Sequence, residues 1–194
     1  MISSLTYGRG EAGASFEEDV FTEHRFSPRV SGVLHTFARQ TATGDAEEEA
    51  EASLKRRMVG GDRWTVAMQA GGLWAGATAG TCPRAGAELR ALAGATSKTG
   101  RRFVNLEAAY RYRAGCARAR YELTTGYRPD EKWLWLAQTF VDDDLTFDRE
   151  IKIQASAVRF DRKRRGLQLS VRARISDAGV NEPALVLGYW TKLR

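Results

Sequence analysis

Between Phe103 and Arg113 the chain alternates without a break. Val104, Leu106, Ala108, Tyr110 and Tyr112 fall on one side of a pleated strand, and Asn105, Glu107, Arg111 and Arg113 on the other. The pattern recurs from about Ala87 to the C-terminus with no helical period between its repeats. Alternation and turn signals mark about twelve strands: Ile2–Gly8, Glu17–Arg25, Arg29–Arg39, Ala50–Met58, Arg63–Gly71, Ala87–Gly94, Arg102–Tyr112, Ala117–Tyr127, Lys132–Phe140, Glu150–Phe160, Gly166–Arg174 and Ala184–Leu193. The stretch from Glu47 to Met58, rich in Ala, Glu, Lys and Arg, also suits a short helix. No element reads as a covering helix, and about twelve strands close more readily into one barrel than into two sheets. The expectation is all-β: a single antiparallel up-and-down transmembrane barrel spanning residues 1–194 as one domain.

Composition leaves that reading open and removes others. With 43% hydrophobic and 28% charged residues and a mean hydropathy of −0.43, the chain cannot be a helical membrane bundle. A membrane barrel survives the same numbers, because half of each strand faces a polar interior. The net charge of +6 and pI near 9.6 admit nucleic acid, anionic lipid or anionic solutes as partners. The residues after Met1 read as a strand and not as a secretory leader, which speaks against export of the sequence as written.

The apolar face comprises Val104, Leu106, Tyr110, Tyr112, Ala119, Tyr121, Leu123, Tyr127, Trp133, Trp135, Ile151, Ile153, Leu167, Leu169 and Val171. The opposite face comprises Glu88, Arg90, Asn105, Glu107, Arg111, Arg118, Arg120, Glu122, Gln138, Lys152, Gln154, Ser156, Gln168, Ser170, Arg172 and Arg174. Alternation alone does not say which of them points inward. Tyr110, Tyr112, Tyr121, Tyr127, Trp133 and Tyr189 sit near strand ends on the apolar face, as aromatic girdles do at a lipid boundary. Links expected to be long (9–15, 40–49, 72–86, 141–149, 175–183) fall at one end of such a barrel, and most short ones at the other. Outer-membrane barrels share that asymmetry.

From Gly86 onward the chain resembles a family of Gram-negative proteins of unassigned role that are read as outer-membrane β-barrels. The segments carrying the likeness are Gly86-Ala-Glu-Leu-Arg-Ala-Leu-Ala-Gly94, Phe103-Val-Asn-Leu-Glu-Ala-Ala-Tyr-Arg-Tyr112, Tyr121-Glu-Leu-Thr-Thr-Gly-Tyr-Arg-Pro129, Trp133-Leu-Trp-Leu-Ala-Gln-Thr-Phe140 and Lys152-Ile-Gln-Ala-Ser-Ala-Val-Arg159. The resemblance implies the outer membrane as location and a barrel as fold, and supplies no activity or catalytic residues. Members of that family typically finish on an aromatic residue, whereas this chain finishes Thr191-Lys192-Leu193-Arg194.

The strongest candidate site is an arginine ladder, Arg111, Arg113, Arg118, Arg120, Arg172 and Arg174, with Arg90, Glu107, Glu122 and Lys152 beside it. Guanidinium groups suit carboxylate and phosphate. Lining a lumen they either select anionic solutes or pair with Glu88, Glu107 and Glu122 to plug it. His24 and His35, with Ser31, Asp19 and Glu23 nearby in sequence, are the only material for a hydrolase triad, and no nucleophile motif accompanies them. Asp142, Asp143, Asp144 and Asp148 lack the glycine and terminal glutamate of a calcium loop, so neither a metal nor a cofactor is expected. Cys82 and Cys116 are either a disulfide or two free thiols. Gly60-Gly61, Gly71-Gly72, Gly76 and Gly80 read as turns and bends.

The reading that emerges is a monomeric outer-membrane barrel in contact with lipid, not an enzyme: a narrow pore for small anionic solutes or a plugged structural barrel. Two alternatives come from other classes. One is a soluble basic β-protein binding nucleic acid through Tyr110-Arg111-Tyr112-Arg113 and Arg118-Ala119-Arg120-Tyr121, which alternation weakens by placing rings and cations on opposite faces. The other is an outer-membrane lipid hydrolase dependent on His24 or His35.

Overall fold

The computed structural model describes residues 1–10, 13–76, 82–145, 149–176 and 179–191. Twelve antiparallel strands are described: β1 Ile2–Gly10, β2 Gly13–Arg25, β3 Val30–Thr41, β4 Ala46–Gly60, β5 Trp64–Ala75, β6 Ala85–Thr96, β7 Arg102–Arg113, β8 Cys116–Tyr127, β9 Trp133–Asp143, β10 Arg149–Phe160, β11 Gly166–Ser176 and β12 Gly179–Trp190. Each pairs with its sequence neighbours, and β1 pairs with β12 to close the barrel. Closure satisfies every strand edge, which an open sheet of this length could not do.

One alternative is decided and two expectations are corrected. The stretch 47–58 is strand and not helix: β4 is held in register by β3 on one side and β5 on the other, and this pairing overrides local helix propensity. Gly71-Gly72 is no bend but the interior of β5, where a Cβ on Gly71 would lie 2.3 Å from that of Ser53. The division into long-link and short-link ends also fails. Only residues 11–12, 114–115 and 177–178 separate β1 from β2, β7 from β8 and β11 from β12, while the turns at the other end run to 97–101, 128–132 and 161–165. Ionic residues that look like loop, such as Glu47, Asp142 and Asp143, continue the strands. Other features distinguish the two ends. The turn end carries Met1 and Thr191, whose amine and carbonyl meet at 2.9 Å. The disulfide end carries the Cys82–Cys116 bridge.

Long-range ion pairs decide which face is inside. Arg111 on β7 reaches Glu49 on β4, and Arg172 on β11 reaches Glu17 on β2. Strands three apart in the wall can meet only across the interior, so the ionic face lines the lumen. The apolar face is outermost: Leu5, Leu89, Leu106, Tyr110, Tyr121, Leu167 and Leu187, among others, are exposed. Ala119 shares the outward parity, but its short side chain, opposite Tyr110, is buried.

Candidate site: an ion-paired lumen

Along β8 to β11 the inward positions change character from the disulfide end to the turn end, whereas on β2 and β4 they stay ionic, Lys55 pairing with Glu23 near the turn end. On β10 the order is Glu150, Lys152, Gln154, Ser156, Val158, Phe160; on β9 it is Asp142, Phe140, Gln138, Leu136, Leu134. On this side the lumen therefore has a charged layer, an amide and hydroxyl layer, and an apolar layer.

The charged layer gathers the arginine ladder. Arg111 bonds Glu88 and Glu49 and lies 3.5 Å from Glu51. Arg90 joins the same cluster, with Nη2 2.7 Å from Glu88 and Nη1 2.9 Å from Glu107. Arg120 Nε donates to Asp142 at 2.6 Å, and Arg118 Nε lies 3.8 Å from the same carboxylate. Arg111 and Arg118 are cross-strand partners, a repulsive pairing that the interleaved Glu49 and Asp142 offset. On the opposite wall Arg172 meets Glu17 at 3.2 Å, Arg174 meets Glu150 and Glu182, and Lys152 meets Glu150 at 3.0 Å. Glu122 accepts from Thr124 at 2.7 Å and from Gln138 at 3.2 Å.

Below it runs a belt of neutral polar groups. Gln154 donates to Gln138 at 3.1 Å and accepts from Arg172 at 2.8 Å; Gln168 donates to Ser156 and Ser170. On β5, Gln69 donates to Glu51 and Ser53, both at 2.9 Å. Such a belt gives buried amides and hydroxyls partners that an apolar interior would deny them.

The apolar layer was not legible as part of the interior. Leu134, Leu136 and Val158 form its buried centre, with Phe103, Phe160 and Trp190 packed around them. Two glycines make room: a Cβ on Gly126 would sit 2.2 Å from the Phe103 ring, and one on Gly166 would sit 2.8 Å from Phe160. The available signal is the breakdown of alternation at Trp133-Leu-Trp-Leu136, where apolar residues occupy both faces, and its inversion at Val158-Arg-Phe160, where the inward positions are the apolar ones.

The remaining candidates separate. His35 faces inward with Nε2 2.9 Å from Asp19, but Ser31 donates to Glu23 at 2.7 Å. Four residues apart on one strand, His35 and Ser31 stand roughly 13 Å from each other. His24 is on the outer face, its ring 5.3 Å from that of Phe26. The hydrolase arrangement is thus not assembled. Nor is the stacking motif, since Tyr110, Tyr112 and Tyr121 lie outside a wall whose inside holds Arg111, Arg118 and Arg120. Asp142 points into the lumen, whereas Asp143 binds Arg149 at 2.8 Å. Asp148 and Gly80 lie outside the described residues, among which no metal-ligand cluster occurs.

Cys82 and Cys116 form a disulfide with a Cα–Cα distance of 5.9 Å. It borders a mouth cavity of about 680 Å³ lined by Arg39, Glu49, Arg111, Arg113 and Arg118. Arg113 Nη1 is buried there without a hydrogen-bond partner.

No protein-family model matches the sequence, and no curated protein matches it. Solved structures do. The NanC porin superposes with a TM-score of 0.75 at 10% identity, covering 99% of both chains. The KdgM porin in complex with disordered oligogalacturonate gives 0.68 at 8% identity over all of both chains. An outer-membrane channel from Pseudomonas putida F1 gives 0.59 at 12% identity, covering 97% of this chain and 93% of that one. At these identities the likeness establishes the fold: a closed barrel of the kind used by porins and channels.

Proposed function

We propose that this chain spans the outer membrane and passes small anionic solutes through its lumen. A wall of exposed Leu, Tyr and Trp suits hydrocarbon and not water. The observation that carries the choice of solute is how the ion pairs are turned. At the mouth, the side chains of Arg118, Arg39 and Arg120 are 43%, 36% and 34% exposed, whereas Glu17 and Glu49 behind them are 12% and 14% exposed. Asp45 and Glu47 are also exposed at this mouth, but within these wall pairs the guanidinium stands in front of its carboxylate and is the partner a solute can address. Ring charges of this kind set selectivity in narrow pores, and the KdgM porin of the same fold is known with oligogalacturonate.

The test is conductance in a planar bilayer with a potassium chloride gradient. Wild-type protein should give discrete channels with a reversal potential of anion-selective sign. The double variant Arg118→Ala and Arg120→Ala should keep its channels and lose most of that selectivity. A silent membrane with correctly folded protein favours the second reading, a plugged barrel, for which the apolar layer and the doubly anchored Arg90 and Arg111 speak.

A further inference from the structure

The outer rim of the turn end is basic to a degree the lumen is not. Residues 159–165 read Arg-Phe-Asp-Arg-Lys-Arg-Arg, five cations against one carboxylate. That carboxylate is already engaged: Asp161 accepts from the Lys163 and Arg165 amides and from the Arg165 guanidinium at 2.8 Å. The neighbouring turn 128–132 adds Arg128 and Lys132, and its Asp130 accepts from the Lys132 and Trp133 amides. Two of the three carboxylates at this rim, Asp130 and Asp161, thus hold turns together, and Glu131 remains against a surplus of cations.

Between these two turns lies a groove of about 1170 Å³ lined by Arg159, Arg162, Arg164 and Lys132, with Leu167 and Tyr189 continuing its wall down the outside of the barrel. Arg159 sits 5.7 Å over the ring of Trp133, which stacks on Trp135. Both tryptophans share the outward parity of β9. An aromatic pair below and an excess of guanidiniums above is the order of chemistry met on leaving hydrocarbon for a headgroup layer.

We propose that this groove holds an anionic phospholipid headgroup, its phosphate against Arg159, Arg162 and Arg164 and its acyl chains along Leu167 and Tyr189. The site rests on the membrane-spanning reading above and is independent of whether the lumen conducts. A membrane lipid is favoured over a soluble polyanion because the cations continue an apolar outer wall and do not surround a water-filled opening.

The experiment uses the full chain folded into vesicles of phosphatidylcholine carrying brominated phosphatidylglycerol or brominated phosphatidylcholine, read by tryptophan quenching. Wild-type protein should prefer the anionic lipid, with the preference shrinking in high salt. Arg159→Gln with Arg162→Gln should lower it by about fivefold for each cation removed. Millimolar inorganic phosphate should not displace the lipid. An inserted wild-type barrel without anionic preference, a preference unchanged in the variant, or displacement by free phosphate overturns the site. A chain that does not insert, with no heat-modifiable band on a gel, overturns the membrane reading itself and the site with it.

Discussion

At the disulfide end the inner wall is held by charge: Glu88 touches both Arg90 and Arg111, and it is the carboxylate that ties the two together, Glu107 holding only Arg90 and Glu49 only Arg111 of this pair. At the turn end of β7 to β12 the same alternating backbone is held by shape, with the Phe103 and Phe160 rings seated over Gly126 and Gly166. One backbone rule therefore supports two kinds of interior. The first fails when a charge loses its partner, the second when volume is lost. The first also keeps groups that a solute can address, and the second offers none.

Three measurements break or sharpen this contrast. Glu88→Ala should act most strongly, since it leaves Arg90 and Arg111 short of a shared carboxylate; a loss of about 3–5 kcal/mol in urea unfolding from vesicles is expected. A loss below about 1 kcal/mol would mean that water already compensates the charged layer. Leu134→Ala should cost ~2–3 kcal/mol, in the lower part of the range for a buried leucine because its layer borders a polar belt. Unlike the first effect, it should be insensitive to salt.

The smallest effect concerns a turn outside both layers. The Arg165 amide, with its guanidinium and the Lys163 amide, holds the Asp161 carboxyl below the usual aspartate range. A group depressed on folding contributes above its unfolded pKa, and that contribution is lost as pH falls through the folded value. Amide-exchange protection at Lys163 and Arg165 should thus be flat from pH 8 to 5 and decline only below about pH 4. Asp161→Asn should be flat throughout.

The strands were legible because a pleat sorts residues by parity, and parity survives in the sequence even when ends blur. β7 and β8 are found within a residue or so of where alternation places them. The ends blurred where a wet interior allows ionic residues to remain in strand, as at Glu47 on β4 and Asp143 on β9. β12 begins at Gly179, five residues before alternation becomes readable at Ala184, because the register slips between Arg172 and Arg174 of its partner. Which face was inside depended on meetings such as Arg172 with Glu17, 155 residues apart, and no local pattern encodes those. The apolar layer was missed for a related reason: Leu134 and Trp135 look alike in sequence, and only closure sends one inward and the other out.

The pairing of the first strand with the last carries a consequence for biogenesis. From Ile2 against Trp190 to Gly8 against Ala184, the seam joins the first strand of the barrel to its twelfth. No nascent fragment can therefore present a finished cylinder, and a chain cut short before β12 exposes two raw ribbons at once. A chain lacking either β1 or β12 should therefore behave as an aggregating sheet.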